Sequence, residues 1–161
     1  NLARISNCSF YIGSDKCKIR IGGNHTIISN VSFWIEGENS IIDIAPDFTM
    51  EGGHIACTES SHVYIGKDCM FSSDIEIRTG DSHAIISIET NKRINQAKDI
   101  IIGDHVWLRA HVRVLKGSKI SNNCIVGNSS VVTSVLAPGN SIFCGVPSKL
   151  VKSGIDWNRK I

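Results

Sequence analysis

Residues 101–135 read IIGDHVWLRAHVRVLKGSKISNNCIVGNSSVVTSV, and every sixth position from Ile102 is aliphatic: Ile102, Leu108, Val114, Ile120, Val126 and Val132. Four places after each of the first five stand Val106, Val112, Ser118, Cys124 and Ser130, all small or medium in size, while the positions between carry Asp, Asn, Lys, Arg and Gly. An α-helix needs apolar spacings of three and four, and an isolated strand a spacing of two, so a series locked to six fits neither. Short strands joined by turns do fit. Three of them make a triangular coil in which the aliphatic residue points inward and the small one occupies the corner, with Gly103, Gly117, Asn122, Asn123 and Gly127 serving the turns. The expected fold class is all-β, a parallel β-helix of stacked coils.

The same phase returns upstream at Ile65, Phe71 and Ile77, more loosely at Ile21, Ile27 and Phe33, and at Ile44 and Met50. The β-helix is therefore expected to fill most of one domain, residues 1–161. Ile77 and Ile102 are 25 positions apart, not a multiple of six, so residues 78–98 must leave the helix as a loop. A polar excursion of that length on a regular scaffold is commonly functional, and this one carries Asp81, Ser82 and His83 near its start. After Val132 the pattern dissolves into a Pro- and Gly-containing connection, and the tail, residues 149–161, is expected to be irregular or a short helix.

Composition narrows the function classes. Apolar residues make up 42% and charged residues 20% of the chain, the balance of a soluble globular protein. A net charge of +2 without a Lys/Arg cluster argues against a nucleic-acid partner. Apolar runs such as Ile100–Ile102 fall far short of a membrane span, and no signal-peptide pattern opens the chain. The chain begins at Asn1 rather than Met, which fits an excerpt of a longer protein and leaves the existence of an upstream domain open. The six cysteines, Cys8, Cys17, Cys57, Cys69, Cys124 and Cys144, form no CxxC pair and read as free thiols, which points to the cytoplasm.

Residues 101–135, with Pro138 and then GVPSKLVK, resemble the C-terminal coils of bacterial hexapeptide-repeat acetyltransferases, a left-handed β-helix family. The preceding IGKDCMFSSDIEIRTGDSHAI, with RIN at Arg93–Asn95 and then Trp107, resembles more closely the O-acetyltransferases of capsular polysaccharide and sialic acid. The specific likeness covers about residues 63–152. It implies a homotrimer with parallel axes, acetyl-coenzyme A as donor in the groove between neighbouring subunits, a sugar hydroxyl as acceptor, and no metal. His83 stands where the family places its catalytic base, a task suited to an imidazole of ordinary pKa about 6.5. Trp107 falls just before an inward position and so on the outer surface, where it either packs between subunits or lines the site; its indole N–H or a backbone N–H is the implied oxyanion donor. Ala110, Asn128 and Thr133 match positions along which the family lays pantetheine, and Lys149 and Lys152 match positions that meet phosphates.

Three positions depart from the family's pattern: Arg109 where Gly is common, His111 where Asn is frequent, and Ser134 where a phosphate-contacting Lys is frequent. Arg109 either obstructs the pantetheine arm or pairs with a phosphate. Asp81 and Asp74 are candidates to orient His83. His25, His54, His62 and His105 fall at turns, on the surface or beside an irregular coil, and a metal site from His83, His105 and His111 would need histidines from separate coils to converge. The leading reading is an acetyl-coenzyme A-dependent O-acetyltransferase. Rival readings are an N-acyltransferase for an amino sugar, a non-catalytic trimeric β-helix for which Arg109 is the main argument, and, more distantly, a carbonic-anhydrase-like metalloenzyme.

Overall fold

A computed structural model describes residues 2–160. Its strands form three sheets that are the faces of a prism. The first face runs from Arg4–Ser6 to Lys149–Ser153 in eight strands, the second from Ser9–Ile12 to Val131–Val132 in six, and the third from Lys18–Ile21 to Val135–Leu136 in six. The chain visits the three faces in turn, and all pairings between successive coils are parallel. The all-β parallel solenoid expected from the period of six is the observed architecture.

Register explains both the strength and the limits of that period. Leu108 pairs with Val126, Val114 with Val132 and Ile102 with Ile120, each pair eighteen residues apart, so these coils consist of three six-residue units. Ile28 and Met50 are 22 apart, and Phe10 and Phe33 are 23 apart, because the early coils carry wider corners. The extra residues shift the phase: Ile28 is buried on the first face and its neighbour Ile27 is exposed, so the sequence-based inward placement of Ile27 is one residue off.

The interior is a set of vertical ladders. Ile28, Met50, Phe71, Leu108, Val126 and Phe143 stack behind the first face, and Ile21, Ile44, Ile65, Ile102, Ile120 and Leu136 behind the third. Nearly all are fully buried. Each contributes about 1.5–3 kcal/mol relative to an exposed side chain. At the N-terminal end Phe10 stacks on Phe33 at 4.9 Å yet stays half exposed, since no described coil lies above it. At the other end Lys149–Ser153 pairs antiparallel with Ser141–Cys144 and covers the last edge. The tail is thus a strand followed by an irregular segment, and no helix occurs among the described residues, which corrects the expectation of a short terminal helix.

Corners turn through left-handed backbone, which Asn, Asp and His tolerate better than most residues. Between the third and first faces these residues are Asn24, Asp47, Asp68, His105, Asn123 and Asn140; between the first and second they include Asn7, Asn30, Asp74, His111 and Ser129. Gly53 occupies the latter corner with φ +148°, and a Cβ there would lie 2.0 Å from the Ile75 carbonyl oxygen of the next coil. Gly53→Ala is expected to cost about 3 kcal/mol through strain and overpacking, lowering Tm by about 10 °C. An unchanged melting curve by circular dichroism would contradict this account of the corner.

Candidate active site

The chain leaves the second face after Ile75–Arg78 and returns to the third at Ile100–Ile102. Register partners on either side of the loop are 37 residues apart, as in Ile65 and Ile102, so the excursion occupies a single corner and the ladder continues beneath it. The loop holds its shape through one buried amide. Asn95 donates from Nδ2 to Asp81 Oδ2 (2.9 Å) and to the His83 carbonyl (2.8 Å), and its Oδ1 accepts from the Ile85 N–H (2.7 Å) and Arg93 Nε (3.1 Å). All four hydrogen-bonding sites of the amide head are used, which is what burial of a polar group requires.

Two ion pairs fasten this hub to the prism. Lys116 bonds Asp81, and Arg93 bonds Glu59 at 2.7 Å. The Lys116 ammonium and then the Asn95 amide hold the Asp81 carboxyl below the usual carboxylate range, and the Arg93 guanidinium does the same for Glu59. The loop thereby presents His83 at the surface with its main chain fixed and its imidazole without a partner among the described residues. Neither carboxylate named as a possible orienter touches it: Asp81 is bound by Lys116 and Asn95, and Asp74 by His111 Nδ1 at 2.7 Å and Arg113 Nη2 at 2.9 Å.

A second set of expected site residues gathers on the first face. Trp107, Arg109, Ala110 and Asn128 line one recess of about 220 Å³ together with Ser72. Trp107 and Ser72 also border a larger groove of about 560 Å³ that runs toward the N-terminal coils past Met70, Glu51 and Ile27. The Arg109 guanidinium lies 5.7 Å from the Trp107 ring centroid, within cation–π range, so it borders the recess and leaves space beside Ala110.

Trp107 is itself backed by the C-terminal segment. Trp157 lies 5.9 Å from it and stacks on His105 at 4.0 Å, its Nε1 donating to the His105 carbonyl at 2.9 Å. Arg159 then bonds Asp68 Oδ1 (3.1 Å) and Thr49 Oγ1 (2.8 Å), tying the segment to two earlier coils.

The remaining expected positions lie apart. Thr133 follows the second-face strand Val131–Val132, and Lys149 and Lys152 are exposed on Lys149–Ser153 beside the first face. Within one chain His83 and Trp107 sit on different sides of the prism, the loop at the second–third corner and the indole on the first face. His105 and His111 occupy two other corners, paired with Asp68 and Asp74, so the three histidines considered for a metal do not converge. Among the described residues no group of three or more His, Cys, Asp or Glu could hold a metal ion.

A parallel solenoid with one corner loop and an aromatic-edged groove on a neighbouring face is the architecture of the hexapeptide-repeat acyltransferases, a class built on the left-handed β-helix. No family model matches the chain. It is 38% identical over 97% of its length to a polysialic acid O-acetyltransferase of Neisseria meningitidis, covering 78% of that protein. A polysialic acid O-acetyltransferase of Escherichia coli is 34% identical over 88% of the chain, which spans 45% of that longer protein. The solved structure of the polysialic acid O-acetyltransferase OatWY superposes with a TM-score of 0.77 at 35% identity, over 99% of this chain and 85% of that one. The chain belongs to the hexapeptide-repeat O-acetyltransferase family.

Asn95, Trp157 and Arg159 had no assigned role in the sequence reading, although Asn95 lies in the RIN segment already noted and Trp157 is an isolated tryptophan in a polar tail. Removing the hub should loosen the loop and leave the prism intact. Asn95→Ala is expected to speed amide exchange about tenfold or more across residues 81–95, the effect of losing charged and neutral hydrogen bonds, with the ladder strands unaffected. The ion pairs set a pH limit on the same property. Both carboxyls are depressed in the folded state, so their contribution is present above the unfolded carboxylate pKa of about 4 and is lost as pH falls through the folded values. Loop exchange should therefore rise selectively below about pH 4; a profile flat into strong acid would show that the pairs do not fasten the loop.

Proposed function

We propose that this chain transfers an acetyl group from acetyl-coenzyme A to a hydroxyl of a sialic acid polysaccharide, in a site completed between neighbouring copies of a homotrimer. The observation that carries the reading is the gathering of Trp107, Arg109, Ala110 and Asn128 along one first-face groove, with an unencumbered His83 held out at a different corner. The relatives' named substrate, polysialic acid, supplies the acceptor class.

A closed threefold arrangement with parallel axes carries the loop of one copy toward the first face of the next, which unites the imidazole and the indole. Pantetheine would lie along Ala110, Asn128 and Thr133. Arg109, Lys149 and Lys152 would meet the phosphates, with Arg109 supplying a planar, permanently charged partner.

The neutral imidazole of His83 accepts the proton of the acceptor hydroxyl as that oxygen bonds to the thioester carbonyl carbon. The carbonyl oxygen becomes an oxyanion, held by a backbone N–H of the rigid coil or by the Trp107 indole N–H. Collapse re-forms the carbonyl and breaks the carbon–sulfur bond. The imidazolium returns its proton to the departing sulfur, giving coenzyme A thiol and an acetyl ester. The six cysteines take no part in this sequence, are unpaired, and fit a reducing cytoplasm.

Incubation with acetyl-coenzyme A and a panel of sialylated and neutral oligosaccharides, following thiol release, tests the reading. His83→Ala is expected to lower kcat by about a hundredfold or more while leaving acetyl-coenzyme A binding unchanged. Trp107→Ala should impair both donor KM and kcat. Absence of release with every sialylated acceptor would overturn the reading.

A further inference from the structure

The second face carries a recess that the donor groove does not include. It measures about 210 Å³ and is lined by Trp34, His54, Ala56, Thr58, Arg78, Gly80 and Ser82, the last being the residue before His83. Its volume lies below the roughly 300–1,000 Å³ of pockets that enclose drug-sized ligands, a size suited to one sugar ring.

Three features give the recess a chemistry. Thr58 is 8% exposed, and its Oγ1 is the one buried side-chain oxygen or nitrogen among the described residues without a hydrogen-bond partner. Such an orphan is costly and is unexpected beside a fully satisfied loop hub. Gly80 packs against it, and any side chain there would crowd the hydroxyl, since a Cβ would stand 2.5 Å from Thr58 Oγ1.

Arg78 provides the charge. Its Nε bonds Glu76 at 3.1 Å and its Nη1 bonds the Ser82 hydroxyl at 3.0 Å, while Nη2 has no partner among the described residues. His54 beside it has its pKa lowered by burial and by Arg78. Trp34 forms the wall, its indole stacked on Tyr11 at 4.0 Å and both rings partly exposed. An aromatic face next to a guanidinium matches a ring with an apolar side and a carboxylate.

We propose that this recess binds a carboxylate-bearing sugar unit of the acceptor chain, adjacent to the unit acetylated at His83, with its carboxylate on Arg78, a ring face on Trp34 and a polar substituent on Thr58 Oγ1. The proposal rests on the sialic acid reading above and deepens it: the enzyme grips two consecutive units of an anionic chain, reacting one and measuring the other.

The test uses full-length protein and sialic acid oligomers of defined length, with Thr58→Val and Arg78→Gln as near-isosteric variants. Direct binding is measured by titration calorimetry on His83→Ala protein alone and combined with each variant. Acetyl transfer is followed on the otherwise unaltered enzyme.

Each variant is expected to weaken oligomer binding and to raise acceptor KM about tenfold or more, the usual consequence of losing a hydrogen bond to a charged or buried group. Donor KM, oligomeric state and turnover of the single-residue sugar should stay unchanged, and a neutral oligosaccharide of equal length should not bind. Unaltered oligomer affinity in both variants, with transfer intact, would overturn the recess and leave the acetyltransferase reading standing. Oligomer binding that depends on Arg78 and Thr58 in a protein that transfers nothing would do the reverse. A changed oligomeric state in both variants would assign these residues to subunit packing and overturn the recess.

Discussion

Every coil must repeat the path of the coil before it, because each strand bonds to the same-face strand one turn away in parallel register. An inward side chain on one turn therefore sits directly above an inward side chain on the next, and the core is a stack of side-chain layers with no independent centre. Insertions are tolerated only where the ladder is not interrupted, at the corners. The loop between Arg78 and Ile100 obeys this rule: Ile77 still pairs with Val114 and Ile65 with Ile102, as though the excursion were absent. The prism can thus carry a long functional segment at little cost to its core.

That constraint explains what the sequence could disclose. In the C-terminal coils the corners have minimal length, a turn equals three sixes, and the period appears directly in the residues. In the first coils one to several extra corner residues leave inward stations in register in space and out of phase in sequence, which is why the period of six points to Ile27 where Ile28 is the inward residue. The outward direction of Trp107 was legible because it belongs to the regular coils, where position in the six fixes the direction of a side chain, whereas Arg109, Ala110 and Asn128 were singled out by the family resemblance alone. The loop was legible only as an interruption. Its hub, Asn95, makes contacts ten to fourteen residues away along an aperiodic segment, and no pattern announces that Asp81 will face Lys116 instead of His83.

The same geometry separates the two groups proposed to act together. A triangular prism turns its three faces away from one another, so an imidazole at the second–third corner and an indole on the first face are not brought together by one chain. On the proposed reading the chain supplies two half-sites, each held by a dense set of contacts. On one side the Asn95 amide and two ion pairs fix the main chain beside His83. On the other the sequence His105, Trp157, Trp107 and Arg109 forms a continuous set of stacked or tilted π-systems that fixes the groove wall. Precision in an active site follows from the stiffness of its supports, and both supports are anchored to coils that cannot slide without breaking the ladder.

Half-sites held in this way would also determine how the proposed polymeric acceptor is handled. If the proposed base were on a mobile lid, closure could draw in any accessible hydroxyl; carried on a main chain held in place, it would react only with a hydroxyl that the acceptor itself delivers. Selectivity must then come from contacts made by the rest of the polymer with surfaces at fixed distances from His83. The second face offers such a surface, because Arg78 and Ser82 belong to the strand end and loop start that lead directly to His83, and they are joined by a 3.0 Å hydrogen bond. Binding energy gained one unit away in the proposed recess would orient the reacting unit without any change in shape, which is how contacts remote from the bond being made contribute to the rate.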